Sequence, residues 1–183
     1  MAPGSVYTIG HDVEQGKLAL FLLQVQVSAG SGRVIPLGNL SRTMKEGIKT
    51  AEAYLRANLK NLGINRDWKA YDFSLQAINL NQAKEGAETA VAFFVCLVSA
   101  LLERAVREQL VVLGEMSVQG LLLKVSHLTE RMELALDAGA RYILVPSENK
   151  RDIADVPDEV LNKLQPIFYT DPLNAVVRAM GLE

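Results

Sequence analysis

The chain has 183 residues, of which 49% are hydrophobic and 22% are charged, and its formal net charge is -2. This length predicts one domain, residues 1–183, with a sizeable core, and the composition is that of an ordinary globular protein. This charge leaves no basic excess, so the net charge gives no electrostatic reason to expect binding to nucleic acid. The longest apolar run, Thr89 to Leu102, is too short for a membrane span, which needs about 20 residues.

The single cysteine, Cys96, excludes an internal disulfide and fits a reducing, cytoplasmic environment. It lies inside the apolar run Val91 to Leu102 with no apt base near it in sequence, so we expect a buried small hydrophobe rather than a reactive thiol. The first residues, Met1 to Val6, lack the basic region and apolar core of a signal peptide, which favours the same location.

The first third of the chain predicts strands. Val6 to Ile9 is a short apolar piece, and Lys17 to Val27 ends in an alternation of apolar and polar residues that is typical of a strand with one wet face. Ser28 to Gly32 predicts a flexible turn, and Arg33 to Leu37 can return as a hairpin partner of the preceding strand.

The clearest helix pattern comes next. Ser41 can cap the helix, Glu52 and Arg56 lie one turn apart on its polar face, and Gly63 stands where a helix C-cap favours glycine. The apolar residues recur at spacings of three and four: Met44, Ile48, Ala51, Leu55, Leu59 and Leu62. We therefore predict a packing helix up to Gly63.

The middle of the chain predicts a strand, a loop and a central helix. Asp72 to Leu80 indicates the strand, and Asn81 to Gly86 is polar enough for the loop. The helix runs from about Gly86 to Arg104, and from Ala90 to Leu102 it is apolar on nearly all sides. A helix of this kind belongs in the interior of a domain.

Short strands and helices follow in mixed order. The predicted strands are Leu110 to Leu113, Tyr142 to Val145 and Ile167 to Tyr169, and the predicted helices are His127 to Ala138, Pro157 to Leu164 and Pro172 to Met180. Gly114 and Gly120 flank one further short piece. Because strands and helices do not alternate strictly, we predict a single α/β (α+β-like) domain.

Three stretches, taken in order, resemble the proteolytic domain of Lon proteases. Pro146 to Asp152 reads P-S-E-N-K-R-D, where the family carries P-x-E-N-K-R-D after a strand. Gly114 to Gly120, G-E-M-S-V-Q-G, is similar to the family's G-E-I-T-L-x-G. Lys84 to Ala90, K-E-G-A-E-T-A, falls where the family has K-D-G-P-S-A-G at the start of its core helix.

The resemblance covers nearly the whole chain. Met44-Lys45-Glu46 and Leu62-Gly63-Ile64 match the family's early helix and the turn after it, and no gaps are needed from Asp72 to Asp152. The resemblance implies the fold of the Lon proteolytic domain, which is related in topology to the ribosomal protein S5 domain 2-like fold. Within the family the chain resembles the divergent Lon-like BrxL proteins of bacterial phage-defence (BREX) systems, through Gly114 to Gly120 and the tail Ile167 to Pro172.

The resemblance also implies a context. Lon proteolytic domains usually lie behind an AAA+ ATPase module and assemble as hexameric rings. Since this chain has no G-x-x-x-x-G-K-[ST] pattern, we expect a C-terminal fragment of an AAA+ protein, with ATP and Mg²⁺ bound by the missing module. We expect no cofactor and no metal in this domain, because two histidines and one cysteine give no metal-ligand spacing.

The resemblance places the family's catalytic serine on Glu88 and its catalytic lysine on Arg131. The serine is that of K-D-G-P-S-A-G, and the lysine is the second one of G-G-L-K-E-K, which corresponds to Ser126 through Arg131. Leu113 stands where the family has a threonine just before Gly-Glu. The residues that surround the serine position in sequence are Lys84, Glu85, Gly86 and Thr89.

Neither replacement supports a serine–lysine dyad. In the dyad a partly desolvated lysine loses its proton and acts as the base toward the serine hydroxyl, whereas arginine stays protonated at any working pH. A carboxylate that attacked a peptide would form an anhydride, which is a poor route to hydrolysis. We therefore predict no serine–lysine peptidase activity, and we hypothesise that Glu88 and Arg131 form a buried or half-buried ion pair instead of two solvated side chains in an eroded groove.

The leading functional hypothesis is a structural, oligomerisation or partner-docking module in a phage-defence machine. One alternative is an active ATP-dependent Lon-type peptidase with an unrecognised site, whose nucleophile would be Thr89, Ser126 or Ser117. For that alternative, His127 is expected to be structural or exposed rather than a base, and His11, in a predicted polar turn, carries no signal.

A second alternative is a DNA-binding module. Its basic patch would use Arg104 with Arg107, or Lys150 with Arg151. Each pair has acidic neighbours, namely Glu103, Glu108 and Asp152, so a solvated face of mixed charge is the preferred interpretation.

Overall fold

A computed structural model describes residues 1–182. Its strands are β1 Ser5–Asp12, β2 Lys17–Ala29, β3 Val34–Pro36, β4 Tyr71–Asn79, β5 Leu110–Val112, β6 Glu115–Met116, β7 Leu122–Leu123, β8 Tyr142–Pro146 and β9 Gln165–Tyr169. Its α-helices are α1 Arg42–Ala57, α2 Ala90–Leu102, α3 Leu128–Asp137, α4 Asp158–Leu161 and α5 Pro172–Met180. Short 3-10 segments lie at Lys60–Leu62, Trp68–Ala70 and Ser147–Asp155.

Seven strands form one mixed sheet in the order β3-β4-β2-β1-β5-β8-β9. β2 pairs antiparallel with β1 and with β4, and the other four pairings of this sheet are parallel. β6 and β7 form a separate two-stranded hairpin. The mixed architecture confirms the predicted α/β (α+β) class.

The helices cover the two faces of the sheet and create two apolar clusters. α2 lies at the centre of the larger one, where it packs against α1, α5, β1 and β2, and every residue from Ala90 to Leu101 is buried. α3, α4 and the Ser147–Asp155 segment cover β5, β8 and β9 on the other face. The predicted interior position of the central helix is therefore confirmed, as is the burial of Cys96.

The segment Arg33 to Leu37 contains a strand, β3, but the predicted hairpin with β2 is wrong. β3 pairs in parallel with β4, which lies between β3 and β2. Asp72 of β4 explains this arrangement, because its carboxylate accepts hydrogen bonds from the backbone N–H of Ser31 (2.9 Å) and Arg33 (3.1 Å) and from the Arg33 guanidinium (2.8 Å). These bonds hold the turn before β3 against β4, so that β4, and not β3, pairs with β2.

The first helix is shorter than its apolar pattern predicted. Ser41 caps α1 as expected, accepting a hydrogen bond from Met44 N at 3.3 Å. The α-helix ends at Ala57, because the side chain of Asn58 donates to the Tyr54 carbonyl at 2.8 Å and competes with the regular helical bond. The pattern continues in a 3-10 turn that Gly63 ends with φ 68°.

Two other predicted helix limits are also corrected. The helix predicted from Pro157 to Leu164 is the single turn α4, after which the chain enters β9. The central helix begins at Ala90 rather than near Gly86, since Ala87 forms a β-bridge with His11 and Glu88 has φ 66°. Among residues 1–182, none of the helices has the length and apolar character needed to cross a membrane.

Candidate functional site

The bridge between Ala87 and the end of β1 positions the candidate site. Ala87 N donates to the His11 carbonyl at 2.9 Å, and His11 N donates to the Ala87 carbonyl at 3.0 Å. This antiparallel bridge fixes the chain just before α2 and turns Glu88 into the left-handed region, with φ 66°. The Glu88 side chain is therefore directed at the loop that precedes α3, where Ser126 lies.

Arg131 is the largest of the side chains that are fully buried. Its guanidinium donates to the carbonyls of Ser126 (Nε, 2.6 Å) and Ile9 (Nη1, 2.7 Å) and to Glu88 Oε2 (Nη2, 3.1 Å). Burial lowers the pKa of Arg131, and the nearby Glu88 carboxylate opposes that shift. All three nitrogens are therefore bonded to acceptors that suit a cation, and the guanidinium cannot serve as a base.

The Glu88 carboxylate is bonded through both of its oxygens. Oε2 accepts from Ser126 N at 2.7 Å and from Arg131, and Oε1 accepts from Ser126 Oγ at 2.9 Å. The Glu88 side chain is 20% exposed, and that of Arg131 is 0% exposed. The ion pair predicted between these two residues is thus present, half-buried on the acid side and fully buried on the arginine side.

His11 was the site residue that sequence reasoning missed. The predicted polar turn is wrong, because His11 belongs to β1 and its ring is 12% exposed. Its Nδ1 lies 3.2 Å from Ser126 Oγ and 3.7 Å from Glu88 Oε1. No local signal marks this residue, since its partners lie 77 and 115 positions further along the chain (88 − 11 and 126 − 11).

His127 has the exposed position that was expected for it, although it also contacts the site. It adopts φ 55° immediately before α3, a conformation that is uncommon for a residue with a side chain. The rings of His127 and His11 meet edge to face, with centroids 5.0 Å apart. The His127 ring thus contacts the site through the His11 ring, which is the imidazole that reaches the Ser126 hydroxyl.

The segment before Glu88 is held by backbone hydrogen bonds to two side chains. Asp12 Oδ2 accepts from Lys84 N (3.0 Å) and Glu85 N (3.2 Å), and these bonds lower the pKa of Asp12 although burial acts to raise it. The Thr43 hydroxyl donates to Glu85 Oε2 at 2.7 Å and accepts from Gly86 N at 3.1 Å. The Thr43 hydroxyl lowers the pKa of Glu85, so both acids anchor the segment as carboxylates.

Two of the three candidate nucleophiles are engaged elsewhere. Thr89 is 1% exposed, and its hydroxyl donates to the Gly86 carbonyl at 3.0 Å. Ser117 lies in the turn between β6 and β7, where its hydroxyl accepts from Leu121 N at 3.1 Å. Leu113 is fully buried and brings no polar side chain to the site. Ser126 is the candidate that the fold brings together with Glu88 and Arg131.

Glu115 is a second acid near the start of α2 that sequence reasoning did not single out. Burial raises the pKa of its carboxyl group, and the charge of Glu88 raises it further. Its carboxylate accepts a hydrogen bond from Met116 N at 3.0 Å. Among residues 1–182, no three His, Cys, Asp or Glu side chains come together in a way that could hold a metal ion.

The basic pairs considered for DNA binding are spread among aromatic rings and acids. Arg107 lies over the Tyr142 ring at 5.6 Å, and Lys150 lies over the Phe168 ring at 5.5 Å. Neither contact bears on nucleic acid, so the DNA-binding alternative stays a prediction.

Chemically, the contact between Glu88 and Arg131 is an ion pair between a carboxylate and a guanidinium. One hydrogen bond joins Arg131 to Glu88, and the other bonds of these two side chains are made with Ser126 and with the Ile9 carbonyl. A desolvated amine, which a Ser–Lys mechanism requires as its base, is not provided by a guanidinium.

Comparison with known proteins places this chain in a family. Residues 6–181 match the Lon protease (S16) C-terminal proteolytic domain. The Lon-like protease BrxL of Escherichia coli O9:H4 (strain HS) is 33% identical over 181 residues, which are 98% of this chain and 26% of that protein. The Lon-like protease BrxL of Bacillus cereus (strain H3081.97) is 32% identical over 182 residues, or 99% of this chain and 27% of that protein.

Lon proteases are similar over a shorter stretch. The Lon protease of Citrifermentans bemidjiense is 31% identical over 155 residues, which are 83% of this chain and 19% of that protein. The chain thus spans about a quarter of the length of the BrxL relatives and about a fifth of this Lon protease. The predicted resemblance to Lon domains and to BrxL is confirmed.

Proposed function

Since the chain belongs to the Lon (S16) family of C-terminal proteolytic domains, we propose that it is a Lon-fold module without serine–lysine peptidase activity. Its work would be to hold an assembly together or to dock a partner. The observation that carries the proposal is the contact between Arg131 Nη2 and Glu88 Oε2, at 3.1 Å, between the two residues that we predict to replace the family's lysine and serine.

The chemistry of this contact supports the proposal. A Ser–Lys dyad needs a hydroxyl that can be deprotonated and an amine that can take the proton. Arg131 is held by four hydrogen bonds and keeps its charge, and both carboxylate oxygens of Glu88 already accept hydrogen bonds. The side chains of Arg131 and Glu88 therefore find their hydrogen-bond partners within this network, and neither of them is an amine that could accept a proton from a nucleophile.

The wider setting of the module is part of the same proposal. Relatives about four times as long support the inference of a longer AAA+ parent that binds ATP and Mg²⁺ in another module. In that parent the domain would lie in a hexameric ring in the cytoplasm. The similarity to proteins described as Lon-like protease BrxL supports a role in BREX phage defence.

A peptidase assay tests the proposal directly. Fluorescein-labelled casein is incubated with the 183-residue chain, and separately with a parent protein that contains it, and released fluorescence is followed over hours. We expect no release above that of a heat-denatured control. Release that is abolished by Ser126→Ala or Thr89→Ala in the parent would refute the proposal, because it would identify a working nucleophile in this groove.

A second candidate function, an active peptidase, is favoured by one observation: Ser126 Oγ lies 3.2 Å from His11 Nδ1. This is the reach of a nucleophile and its base. However, the same hydroxyl donates its hydrogen to Glu88 Oε1 at 2.9 Å, and Arg131 Nη2 lies 3.4 Å away. The network thus directs the hydroxyl proton to the carboxylate that is paired with Arg131 and away from the imidazole, which ranks this candidate second.

The variants His11→Gln and Ser126→Ala separate the two candidates. If Ser126 were the nucleophile and His11 its base, both changes would abolish casein release, and a fluorophosphonate probe would label the wild-type protein and not Ser126→Ala. Under the leading proposal the probe labels neither protein.

A further inference from the structure

The hairpin of β6 and β7 has one buried side and one exposed apolar side. Met116 and Leu122 are 3% and 5% exposed and belong to the larger core cluster. Gly120, in the turn, lies against the Tyr54 ring. The outer side, here called the hairpin surface, consists of the exposed side chains of Val118 (58%), Leu121 (65%) and Leu123 (45%).

The hairpin surface is an unusual concentration of exposed apolar groups. Among residues 1–182, eight large hydrophobic side chains are exposed, and three of them fall within the six positions from Val118 to Leu123. Isolated exposed apolar residues need no explanation, whereas a contiguous group marks a site of interaction. The rest of the hairpin is anchored in the core, so the three side chains are presented on a supported platform.

The strand β7 continues into a segment with a free backbone edge. Lys124 is exposed, and its N–H and C=O make no hydrogen bond with any of residues 1–182. On its far side Asn149 holds Val125 in place, accepting from Val125 N at 2.8 Å and donating to Val125 O at 2.9 Å. A segment next to a strand that is fixed at both ends and unpaired between them can receive the backbone of a further strand.

The free edge leads to an open, acidic pocket of about 350 Å³. Its charged lining is Lys124, Glu130, Asp152 and Asp155. Three carboxylates face one lysine here, and none of the three forms an ion pair with residues 1–182. The pocket therefore complements a positive charge, and the hairpin surface beside it complements apolar side chains.

We propose that the hairpin surface, the free edge at Lys124 and the acidic pocket bind one extended peptide segment whose apolar residues lie next to Lys or Arg. The apolar residues contact Leu121 and Leu123, the peptide backbone pairs with Lys124, and the basic residues enter the pocket beside Asp155. This inference rests on the proposed docking function and names the chemistry of the partner. It uses none of the Glu88–Arg131 contacts.

Short synthetic peptides test the proposal on the intact chain. The probes are fluorescein-labelled Leu-Val-Leu-Val-Lys-Arg and its reversed order Arg-Lys-Val-Leu-Val-Leu, and the matched control is Leu-Val-Leu-Val-Glu-Glu. Fluorescence anisotropy measures binding, and mass spectrometry of the same samples shows whether the peptide is cleaved. We expect one basic probe to bind at least tenfold more tightly than the acidic control, with the peptide intact.

Paired variants locate the site. Leu121→Ser should weaken binding about tenfold, since burying a leucine side chain is worth about 1.5–3 kcal/mol and each tenfold change is about 1.4 kcal/mol. The control Leu80→Ser, at a leucine that is 48% exposed elsewhere, should leave it unchanged. Asp155→Lys should weaken binding of the basic probes and strengthen that of the acidic control, whereas Glu46→Lys, on α1, should do neither.

Three outcomes would overturn the docking proposal, and a fourth would overturn only the proposed lack of peptidase activity. Equal affinity for basic and acidic probes removes the role of the pocket, and equal losses in Leu121→Ser and Leu80→Ser remove the role of the hairpin surface. No probe binding, with concentration-dependent self-association in sedimentation velocity that Leu121→Ser abolishes, would assign the surface to a second copy of the chain. Cleavage of a bound probe would refute the proposed lack of peptidase activity while leaving the docking site intact.

Discussion

Replacing Glu88 by Gln removes the negative partner of a cation that has no access to solvent. Glutamine keeps the size of the side chain and one acceptor oxygen, so the change isolates the charge. Arg131 would remain fully buried with the carbonyls of Ile9 and Ser126 as its acceptors. A buried charge without a partner destabilises the folded state, so we expect this single substitution to lower the free energy of unfolding by a large amount.

The magnitude follows from the geometry. Breaking a fully buried ion pair by removing one partner costs about 3–5 kcal/mol. Because the Glu88 side chain is 20% exposed and two carbonyls still bond Arg131, we expect a loss of about 2–4 kcal/mol. Arg131→Met should cost a similar amount, and the double variant should cost less than the sum of the two by at least about 1 kcal/mol, because it removes the orphaned charge.

Urea unfolding of the four proteins of this double-mutant cycle gives the free energies of unfolding. A matched control is Glu52→Gln, which removes the partner of Arg56 at 2.9 Å on α1; because the Arg56 side chain is 48% exposed and water can solvate its charge, this change should cost no more than about 0.5 kcal/mol. A loss in Glu88→Gln as small as that of Glu52→Gln, or strict additivity in the cycle, would refute the reasoning that Glu88 neutralises Arg131.

Three further predictions concern titration and packing. The guanidinium of Arg33 and two backbone N–H groups lower the pKa of Asp72 from 3.8 to about 2, so the stability that the ionised Asp72 contributes is present above pH 4 and is lost as the pH falls toward 2. Asp72→Asn should therefore flatten the pH dependence of the free energy of unfolding in urea over this range, and an unchanged pH dependence would contradict this reasoning. Burial raises the pKa of Glu115 above 4.5, so the ionisation of Glu115 opposes folding as the pH rises past that value. The free energy of unfolding of Glu115→Gln should therefore increase relative to that of the wild type between pH 4.5 and pH 7. A constant difference between the two free energies across that range would contradict the assignment. Gly120→Ala would place a Cβ 2.4 Å from the Tyr54 ring, whereas a Cβ at Gly139, which also has a positive φ, would have nothing within 4 Å. Gly120→Ala should therefore lower the melting temperature more than Gly139→Ala does. Equal decreases in melting temperature would contradict the packing argument.

Periodicity and motif order were enough to predict much of the fold. The apolar spacing of α1 and the all-round apolar character of α2 marked these helices, because burial of a helix face is written in residues three and four apart. The resemblance of the motifs assigned Glu88 and Arg131 to the same predicted site, although 43 positions separate them in the chain (131 − 88). Their chemical types then predicted the ion pair.

Long-range contacts decided the features that sequence patterns left open or misplaced. Local patterns favoured a hairpin of β2 and β3, but the carboxylate of Asp72 holds the intervening turn against β4. Likewise, the helical pattern of α2 extended back to Gly86, but the bridge between Ala87 and His11 delays the helix and sets the direction of the Glu88 side chain.

By itself, the sequence determined the fold class and the family, and it predicted that Glu88 and Arg131 stand in place of a serine and a lysine, because these inferences depend on residue identity and local spacing. Only the tertiary structure decided that His11 meets Ser126 and that the hairpin surface stays exposed beside an acidic pocket. Those features depend on which distant segments the sheet brings together, and neither apolar periodicity nor residue spacing records such distances.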